Sequence, residues 1–248
     1  MKMKRKMTRM ETKNTFSNHI QELRKRIGIS FIAIIIAGIS TFIFHKEILE
    51  FLINPPSGIT YFKTTKPIYT ELTEYISVAI KVSIYAGLLI ASPIIFLQII
   101  LFISPGLKRS EKLFLYISIP IIYLTFTLGL IFGLYILFPP AIKFLITYGS
   151  DIAEPYIRIG SYINILISLL MWMGLIFQTP FIMFILGKLK IINAKKLSKS
   201  RRYCWVIAFI VGAIITPTFD PINQTLVAIP VIMLYEIGFI LVWLINRK

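Results

Sequence analysis

A short charged segment near the amino terminus has the residue types needed to bind a charged ligand. In the stretch His19-Ile20-Gln21-Glu22-Leu23-Arg24-Lys25-Arg26, helical spacing brings His19, Glu22, Leu23 and Arg26 close to one face. Glu22 and Arg26 form an i,i+4 pair, and a carboxylate in this position binds guanidinium groups through charge-assisted hydrogen bonds. A simpler interpretation explains the same spacing: a solvated helix whose cations hold the first membrane span in register.

Two polar residues, Gln178 and Glu236, interrupt long apolar runs. Helical rise places each of them about 15 Å from the next cations along the chain, Lys188 and Arg247, which is about midway through a bilayer. Pro180 leaves a nearby carbonyl without its helical donor, which adds polarity there. The two side chains are expected either to be satisfied by neighbouring helices or to form a shared polar cavity.

Catalytic and metal-binding arrangements are missing from the sequence. Its two histidines, His19 and His45, are separated by an apolar run, and neither an HExxH motif nor a paired-aspartate arrangement for catalysis appears. A single cysteine, Cys204, excludes an intramolecular disulfide and a cysteine-rich metal site. We therefore predict neither an enzyme nor a cofactor-binding protein.

The composition assigns these residues to a membrane scaffold. Of the 248 residues, 56% are hydrophobic and only 15% are charged, more apolar surface than a soluble domain of this length can bury. We predict an all-α membrane protein with a basic tail (1–15) and a single six-span domain (16–248). The spans are predicted at about 27–44, 75–102, 113–138, 162–186, 203–217 and 222–245.

Several details of these elements follow from local signals. The first helix is expected to begin at Ser17 or Asn18, which are suitable N-caps. The second span is expected to break near Ser92-Pro93, and the third to stop at Pro139-Pro140. Residues 46–52 are expected to form a short amphipathic helix on the membrane surface.

The basic residues predict the orientation. Of the 27 Lys and Arg residues, 21 lie in the amino-terminal segment, the loops around 108–112 and 188–202, and the carboxyl terminus. Five lie in the other two loops, and Lys81 lies near the outer end of a span, where its side chain is expected to extend to the surface. This asymmetry places both termini in the cytoplasm or its organellar equivalent. It does not favour nucleic acid as a partner, because the cations cluster at the ends of apolar runs.

Four segments resemble, in family order, the TatC family, the core subunit of the twin-arginine protein translocase. His19–Arg26 resembles the family's HLxELRxR signature, and Phe102–Leu107 followed by Glu111 is similar to its FxxPGLxxxE loop. The segments that are similar to the last two spans are Thr216-Pro217 with Asp220, and Ala228-Ile229-Pro230 with Leu234-Tyr235-Glu236.

The resemblance implies a concave, glove-like bundle of six helices whose last two are short. It implies binding of twin-arginine signal peptides on folded cargo and transport driven by the proton-motive force. The implied partners are TatA-type and TatB-type single-span subunits, with several copies of the chain in one complex. The implied signal-peptide residues are His19, Glu22, Leu23, Arg24, Arg26, Phe102, Pro105 and Glu111, with Gln178 and Glu236 in an intramembrane cavity and Asp220 in an outer turn.

One position departs from many relatives, which have an intramembrane glutamate where this chain has Gln178. Glutamine there, and the Thr-Pro-x-x-Asp-Pro turn at 216–221, are similar to cyanobacterial and plastid-type members. The membrane is therefore predicted to be a bacterial inner membrane or a thylakoid membrane, rather than a mitochondrial one.

The resemblance implies a ligand with two adjacent arginines, and the residues indicate how such a pair could be bound. Glu22 and Glu111 are the acidic residues predicted at the basic membrane edge, apart from Glu11 of the tail. Carboxylates bind guanidinium through paired hydrogen bonds that lysine cannot form. The alternative function is secondary transport of an ion or small molecule, which also uses several spans and polar groups at midplane. No inverted repeat is evident, however, and Glu236 is the one intramembrane acid.

Overall fold

The computed structural model describes residues 2–55, 67–103, 109–148, 152, 156–216 and 221–246, with the backbone alone for residues 2–19, 109–111 and 246. Pro105 and Asp220 lie outside the described residues, as do the side chains of His19 and Glu111. The predictions that rest on these four groups therefore remain predictions.

The described part of the chain is almost entirely helical. Its helices are α1 (Lys2–Ile43), α2 (His45–Ile53), α3 (Glu74–Ile103), α4 (Arg109–Ile117), α5 (Ile119–Phe132), α6 (Phe138–Thr147), α7 (Ile159–Ile176), α8 (Thr179–Lys188), α9 (Ala194–Ile215) and α10 (Pro221–Asn246). A π-helical segment, Gly133–Leu137, joins α5 to α6. The extended pairing in these residues is a single parallel bridge between Ile68 and Arg158.

Five stretches of the described residues are long and apolar enough to cross a membrane: Ile20–Ile43, Glu74–Ile103, Lys112–Thr147, Ile159–Lys188 and Pro221–Ile245. They overlap five of the six predicted spans, so the prediction of an all-α, multi-pass membrane protein is confirmed. The remaining predicted span, 203–217, falls mostly in α9. Basic residues occupy the first turns of that helix and leave only a short apolar part. The count of six spans stays a prediction.

Helix α1 begins earlier than the sequence signals indicate. The predicted start at Ser17 or Asn18 is wrong, because the helix is continuous from Lys2 to Ile43. Residues 2–19 contain neither proline nor glycine and are rich in lysine, arginine and methionine, which are good helix formers. A residue that suits an N-cap does not force a helix to begin there when the preceding residues are also good helix formers.

The predicted break at Ser92-Pro93 is also absent, since α3 is continuous around Pro93. Proline has no N–H for the carbonyl of Leu89, four residues earlier. The Ser92 hydroxyl donates to that carbonyl oxygen at 2.7 Å instead. The side chain thus replaces the missing hydrogen bond, as is common for prolines in membrane helices.

The third predicted span continues past its predicted end. The chain does not stop at Pro139-Pro140 but continues as α6 to Thr147. The two prolines occupy the first positions of α6, directly after the π-helical segment, where the lack of an N–H costs little. Proline at this place starts a helical segment rather than ending one.

The contacts divide the chain into two compact units, residues 1–43 with 83–123, and residues 44–82 with 124–248. In the first unit, α1 and α3 approach closely at two glycines. A Cβ on Gly87 would lie 2.5 Å from the backbone nitrogen of Gly38, so this crossing requires glycine. Nearby, the Thr41 hydroxyl donates to the carbonyl of Ser83 at 2.7 Å.

The second unit has a core centred on α7. Phe138, Tyr162, Ile163 and Leu166 are among its fully buried side chains. The rings of Phe138 and Tyr162 pack edge to face at 5.3 Å, and the Tyr162 hydroxyl donates to the carbonyl of Leu52 at 3.0 Å. This bond fixes α2, the helix predicted at 46–52, against α7.

Candidate functional site

The i,i+4 pair of the amino-terminal segment is formed in the first unit. Arg26 Nη2 lies 3.3 Å from Glu22 Oε1, and Arg26 Nη1 donates to Gln98 Oε1 of α3 at 3.2 Å. Gln98 is buried, whereas the Glu22 and Arg26 side chains remain 29% and 24% exposed. We call these three residues the Glu22 cluster. Gln98 was not identified from the sequence, because only the fold brings it beside α1.

The Glu22 cluster leaves hydrogen-bonding capacity unused. Among the described residues, Glu22 makes one hydrogen bond, to Arg26, and its second carboxylate oxygen accepts none. The Nε of Arg26 is buried and without a partner in the same residues. A carboxylate has about four acceptor sites. Glu22 therefore has room for a second guanidinium beside Arg26.

The other predicted residues of this site are only partly brought together. Leu23, 39% exposed, and Arg24 lie on the accessible surface of α1. Phe102 lies near the end of α3 and is half-buried, and Glu111 belongs to the first turn of α4. The side chain of Glu111 lies outside the described residues.

Gln178 occupies the junction between α7 and α8 in the second unit. It is 6% exposed, and its Oε1 accepts a hydrogen bond from the Thr125 hydroxyl at 3.3 Å. Its backbone N–H bonds the carbonyl of Leu175, three residues back, so the helix tightens and breaks at this point. Pro180 explains the break, because it cannot donate to the carbonyl of Ile176.

Glu236 has a charged partner that the sequence did not reveal. Its Oε2 lies 2.7 Å from Arg201 Nη2 of α9, and the Arg201 guanidinium stacks over the ring of Phe239 at 4.2 Å. The Tyr235 hydroxyl also ties the helices together by donating to the carbonyl of Leu197 at 2.9 Å. The structure thus gives Gln178 and Glu236 separate polar partners.

The placing of Arg201 corrects the predicted basic loop. The sequence predicted a loop at Lys188–Arg202 and placed Glu236 about 15 Å along its own helix from Arg247. Residues 194–202 instead form the first turns of α9, and one of their cations contacts Glu236 directly. A dense cluster of charges does not by itself indicate a loop, because lysine, arginine and serine are all compatible with a helix.

The sequence also did not predict a second polar cluster, which is centred on Glu74. Glu74 Oε1 accepts hydrogen bonds from Arg158 Nε at 3.1 Å and from the backbone N–H of Gly160 at 3.0 Å, while Oε2 accepts from the N–H of Thr70 at 2.9 Å. Arg158 also bonds Glu71 at 3.0 Å. The hydrogen bond to Glu74, followed by that to Glu71, raises the pKa of Arg158 above its usual value. These bonds fix the segment before α3 to the segment before α7.

Gly160 gives a direct test of the Glu74 cluster. A Cβ at this position would lie 2.7 Å from Glu74 Oε1, and that oxygen is held by two donors. We expect Gly160→Ala to displace the carboxylate and to lower the thermal unfolding midpoint of the detergent-purified protein. Gly28→Ala is the matched control. Its added Cβ meets nothing within 4 Å, and alanine favours a helix by about 1 kcal/mol over glycine. Equal midpoints for the two variants would contradict this role of Glu74.

The described residues contain no group of His, Cys, Asp or Glu side chains that is suited to a metal ion.

Comparison with known proteins gives one consistent result. The family model for the Sec-independent protein translocase protein (TatC) matches residues 18–230. The chain is 38% identical over 94% of its length to the Sec-independent protein translocase protein TatC of Carboxydothermus hydrogenoformans, covering 95% of that protein. It is 36% identical over 96% of its length to an uncharacterized TatC-like protein of Guillardia theta, covering 80% of it. A crystal structure of the twin-arginine translocase receptor TatC matches with a TM-score of 0.80 and 36% identity, covering 92% of this chain and all of the other.

Proposed function

Because the chain belongs to the TatC family of Sec-independent protein translocase proteins, we propose that it is the receptor and core subunit of its translocase. In this role it binds the twin-arginine signal peptides of folded precursor proteins and nucleates the complex that carries them across an energised membrane. Members of this family are components of a protein translocase, and this chain is a multi-pass membrane protein.

The observation that carries this proposal is the guanidinium already bound by Glu22. Arg26 presents to that carboxylate the group that an arginine of a signal peptide would present. The side chain of Glu22 is accessible, and its second oxygen accepts no hydrogen bond from the described residues. A peptide arginine can therefore bind beside Arg26 or displace it. Lysine would bind less well, since it lacks the planar fork of donors.

Two adjacent arginines need a second acceptor, and we assign that role to Glu111. It lies in the first turn of α4, where the helix dipole stabilises a carboxylate. The surrounding segments are strongly basic, so these two carboxylates are the attractive points of an otherwise repulsive surface for a cationic peptide. His19, Leu23, Phe102 and Pro105 would contact the residues that flank the arginine pair.

The complex would contain further subunits. The translocase of this family has other Tat subunits, and we propose single-span partners of the TatA and TatB types and several copies of this chain per complex. We place both termini on the cytoplasmic or stromal side, because they belong to the strongly basic segments and such segments stay on that side of the membrane. A bacterial inner membrane and a thylakoid membrane both fit, and the chain resembles bacterial and algal relatives to a similar degree.

We propose that Gln178 takes part in transport by offering a polar group inside the membrane, and a substitution tests this. Gln178→Leu removes the acceptor of the Thr125 hydroxyl and a polar group that could bond peptide backbone. We expect translocation of a precursor to fall several-fold, with the amount of protein in the membrane reduced much less. Gln178→Glu should transport normally, because it keeps an acceptor at the same position. Equal losses of protein and of transport in Gln178→Leu would mean that the residue only stabilises the fold.

A pull-down tests the proposed function itself. Detergent-solubilised membranes containing the tagged full chain should retain single-span partner proteins and a precursor with an intact arginine pair. The same precursor with two lysines should be retained much less. A chain that retains neither partner nor precursor, and that instead mediates uptake of an ion or small molecule in vesicles, would be a secondary transporter.

A further inference from the structure

Lys81 is held in place on the surface of the second unit. It is the one charged residue in residues 75–103, and residues 159–187 contain none. Its side chain is exposed, and its ammonium donates a hydrogen bond to Asn164 Oδ1 of α7 at 2.5 Å. A lysine in a membrane span ordinarily extends freely towards the interface. Here a neighbouring helix fixes the ammonium at one position.

The depth of this group follows from the helix lengths. Lys81 lies about 10 Å along α3 from Glu74, and Asn164 about 8 Å along α7 from Ile159. Each residue belongs to a candidate span of 30 residues. Such a span is about 45 Å long, close to the full thickness of a bilayer with its headgroups. The ammonium therefore lies near the boundary between the headgroups and the hydrocarbon.

The exposed side chains around Lys81 offer hydrogen-bond donors. Ser161 precedes Asn164 by three residues and is exposed on the same face of α7. In the described part of the chain, Lys81 makes no ion pair, and neither the Asn164 amide nitrogen nor the Ser161 hydroxyl makes a hydrogen bond. Two ammonium protons, two amide protons and one hydroxyl proton are thus available. A matching ligand is negatively charged and rich in acceptors.

We propose that Lys81, Asn164 and Ser161 form a binding site for the phosphate group of a membrane phospholipid. The phosphate would accept hydrogen bonds from the ammonium and the amide, and the acyl chains would lie along the exposed apolar surface of α7. Phospholipid phosphates occupy the level at which the donors lie. The carboxylate of a neighbouring membrane helix is the less favoured occupant, because it would have to be brought to the same depth by a separate protein.

Native mass spectrometry of the detergent-purified full chain with added phosphatidylglycerol tests this site. Lys81→Gln should reduce lipid retention on the order of tenfold, the effect of losing one charge-assisted hydrogen bond. Asn164→Asp keeps the size of the side chain, and its carboxylate would pair with Lys81 and repel phosphate, so a similar loss is expected. Lys143→Gln is the control, because Lys143 is an exposed lysine near the end of a different span. It should retain lipid like the unchanged protein.

Further measurements distinguish a phospholipid from free phosphate and from a protein helix as the ligand of this site. Diacylglycerol, which lacks phosphate, should not be retained, and excess inorganic phosphate should not displace phosphatidylglycerol. The thermal unfolding midpoint of each variant verifies folding. Unchanged lipid retention in Lys81→Gln, an equal loss in Lys143→Gln, or displacement by inorganic phosphate would overturn the proposal. Loss of a co-purifying single-span protein from Lys81→Gln, with lipid retained, would assign the surface to a protein helix instead.

Discussion

Replacing Glu22 with alanine is expected to weaken binding of a twin-arginine signal peptide roughly ten- to a hundredfold, which corresponds to about 1.5–3 kcal/mol for one charge-assisted hydrogen bond. Arg26 would remain bonded to Gln98, so helix α1 should keep its packing against α3. The fold should therefore survive while the affinity falls. Titration of purified protein with labelled peptides containing Arg-Arg or Lys-Lys measures the effect.

Glu111 completes this prediction. If the two carboxylates bind the arginine pair as a unit, Glu111→Ala should cost a similar factor, and the double variant should bind little worse than the weaker single variant. Glu111→Arg should be worse than alanine, since it adds repulsion to a basic surface. Glu47→Ala, which removes an exposed carboxylate from α2, is the control and should bind normally. The clamp is wrong if both glutamate variants keep the full preference for Arg-Arg over Lys-Lys.

The second large effect concerns the pair between Arg201 and Glu236. Glu236→Leu leaves the Arg201 guanidinium without its carboxylate beside a membrane span, and Arg201→Leu leaves the carboxylate without its cation. Each change should cost roughly 1.5–3 kcal/mol, a large part of a typical stability of about 5–15 kcal/mol. Fluorescence-detected size-exclusion chromatography should show much less folded protein for either variant.

The double variant, with both Arg201→Leu and Glu236→Leu, tests whether the two residues stabilise the protein as an ion pair or whether each charge is needed by itself. Replacing both partners with apolar residues removes the desolvation cost of the unpaired group, so the yield of folded protein should recover. Arg202→Leu is the matched control, because Arg202 is the adjacent cation and contacts Tyr203 on the exposed surface. Its yield should be unchanged. Additive losses in the double variant would show that each residue acts independently.

The helices were predictable from the sequence because the bilayer imposes a simple rule. Every buried backbone group must bond within its own segment, so a long apolar run is a helix. The ends and breaks were less predictable, because they depend on how side chains replace missing bonds. Pro93 looks like a break until the Ser92 hydroxyl is seen to satisfy the carbonyl of Leu89. Thr179-Pro180 looks much the same in the sequence, yet α7 ends at Ile176 and α8 begins at Thr179.

The site was predictable where it depended on local spacing and not where it depended on the fold. The ion pair between Glu22 and Arg26 follows from one helical turn. Their partner Gln98 is 72 residues from Arg26, and Arg158 is 84 residues from Glu74. Hydropathy gives no signal for such distant pairs. The packing of the helices determined which acids and cations met.

Site-specific photocrosslinking of a precursor to α1 tests the central claim most directly. A photoreactive residue replaces the exposed Leu23, one position from Glu22, and a second is placed at Tyr148, which is 79% exposed at the end of α6. In energised membranes, the Leu23 probe should crosslink a precursor with an arginine pair strongly and its lysine-pair variant weakly, and Glu22→Ala should remove the difference. The Tyr148 probe should crosslink neither signal peptide. Equal crosslinking of both precursors at Leu23, or crosslinking at Tyr148 alone, would contradict recognition of the arginine pair at Glu22.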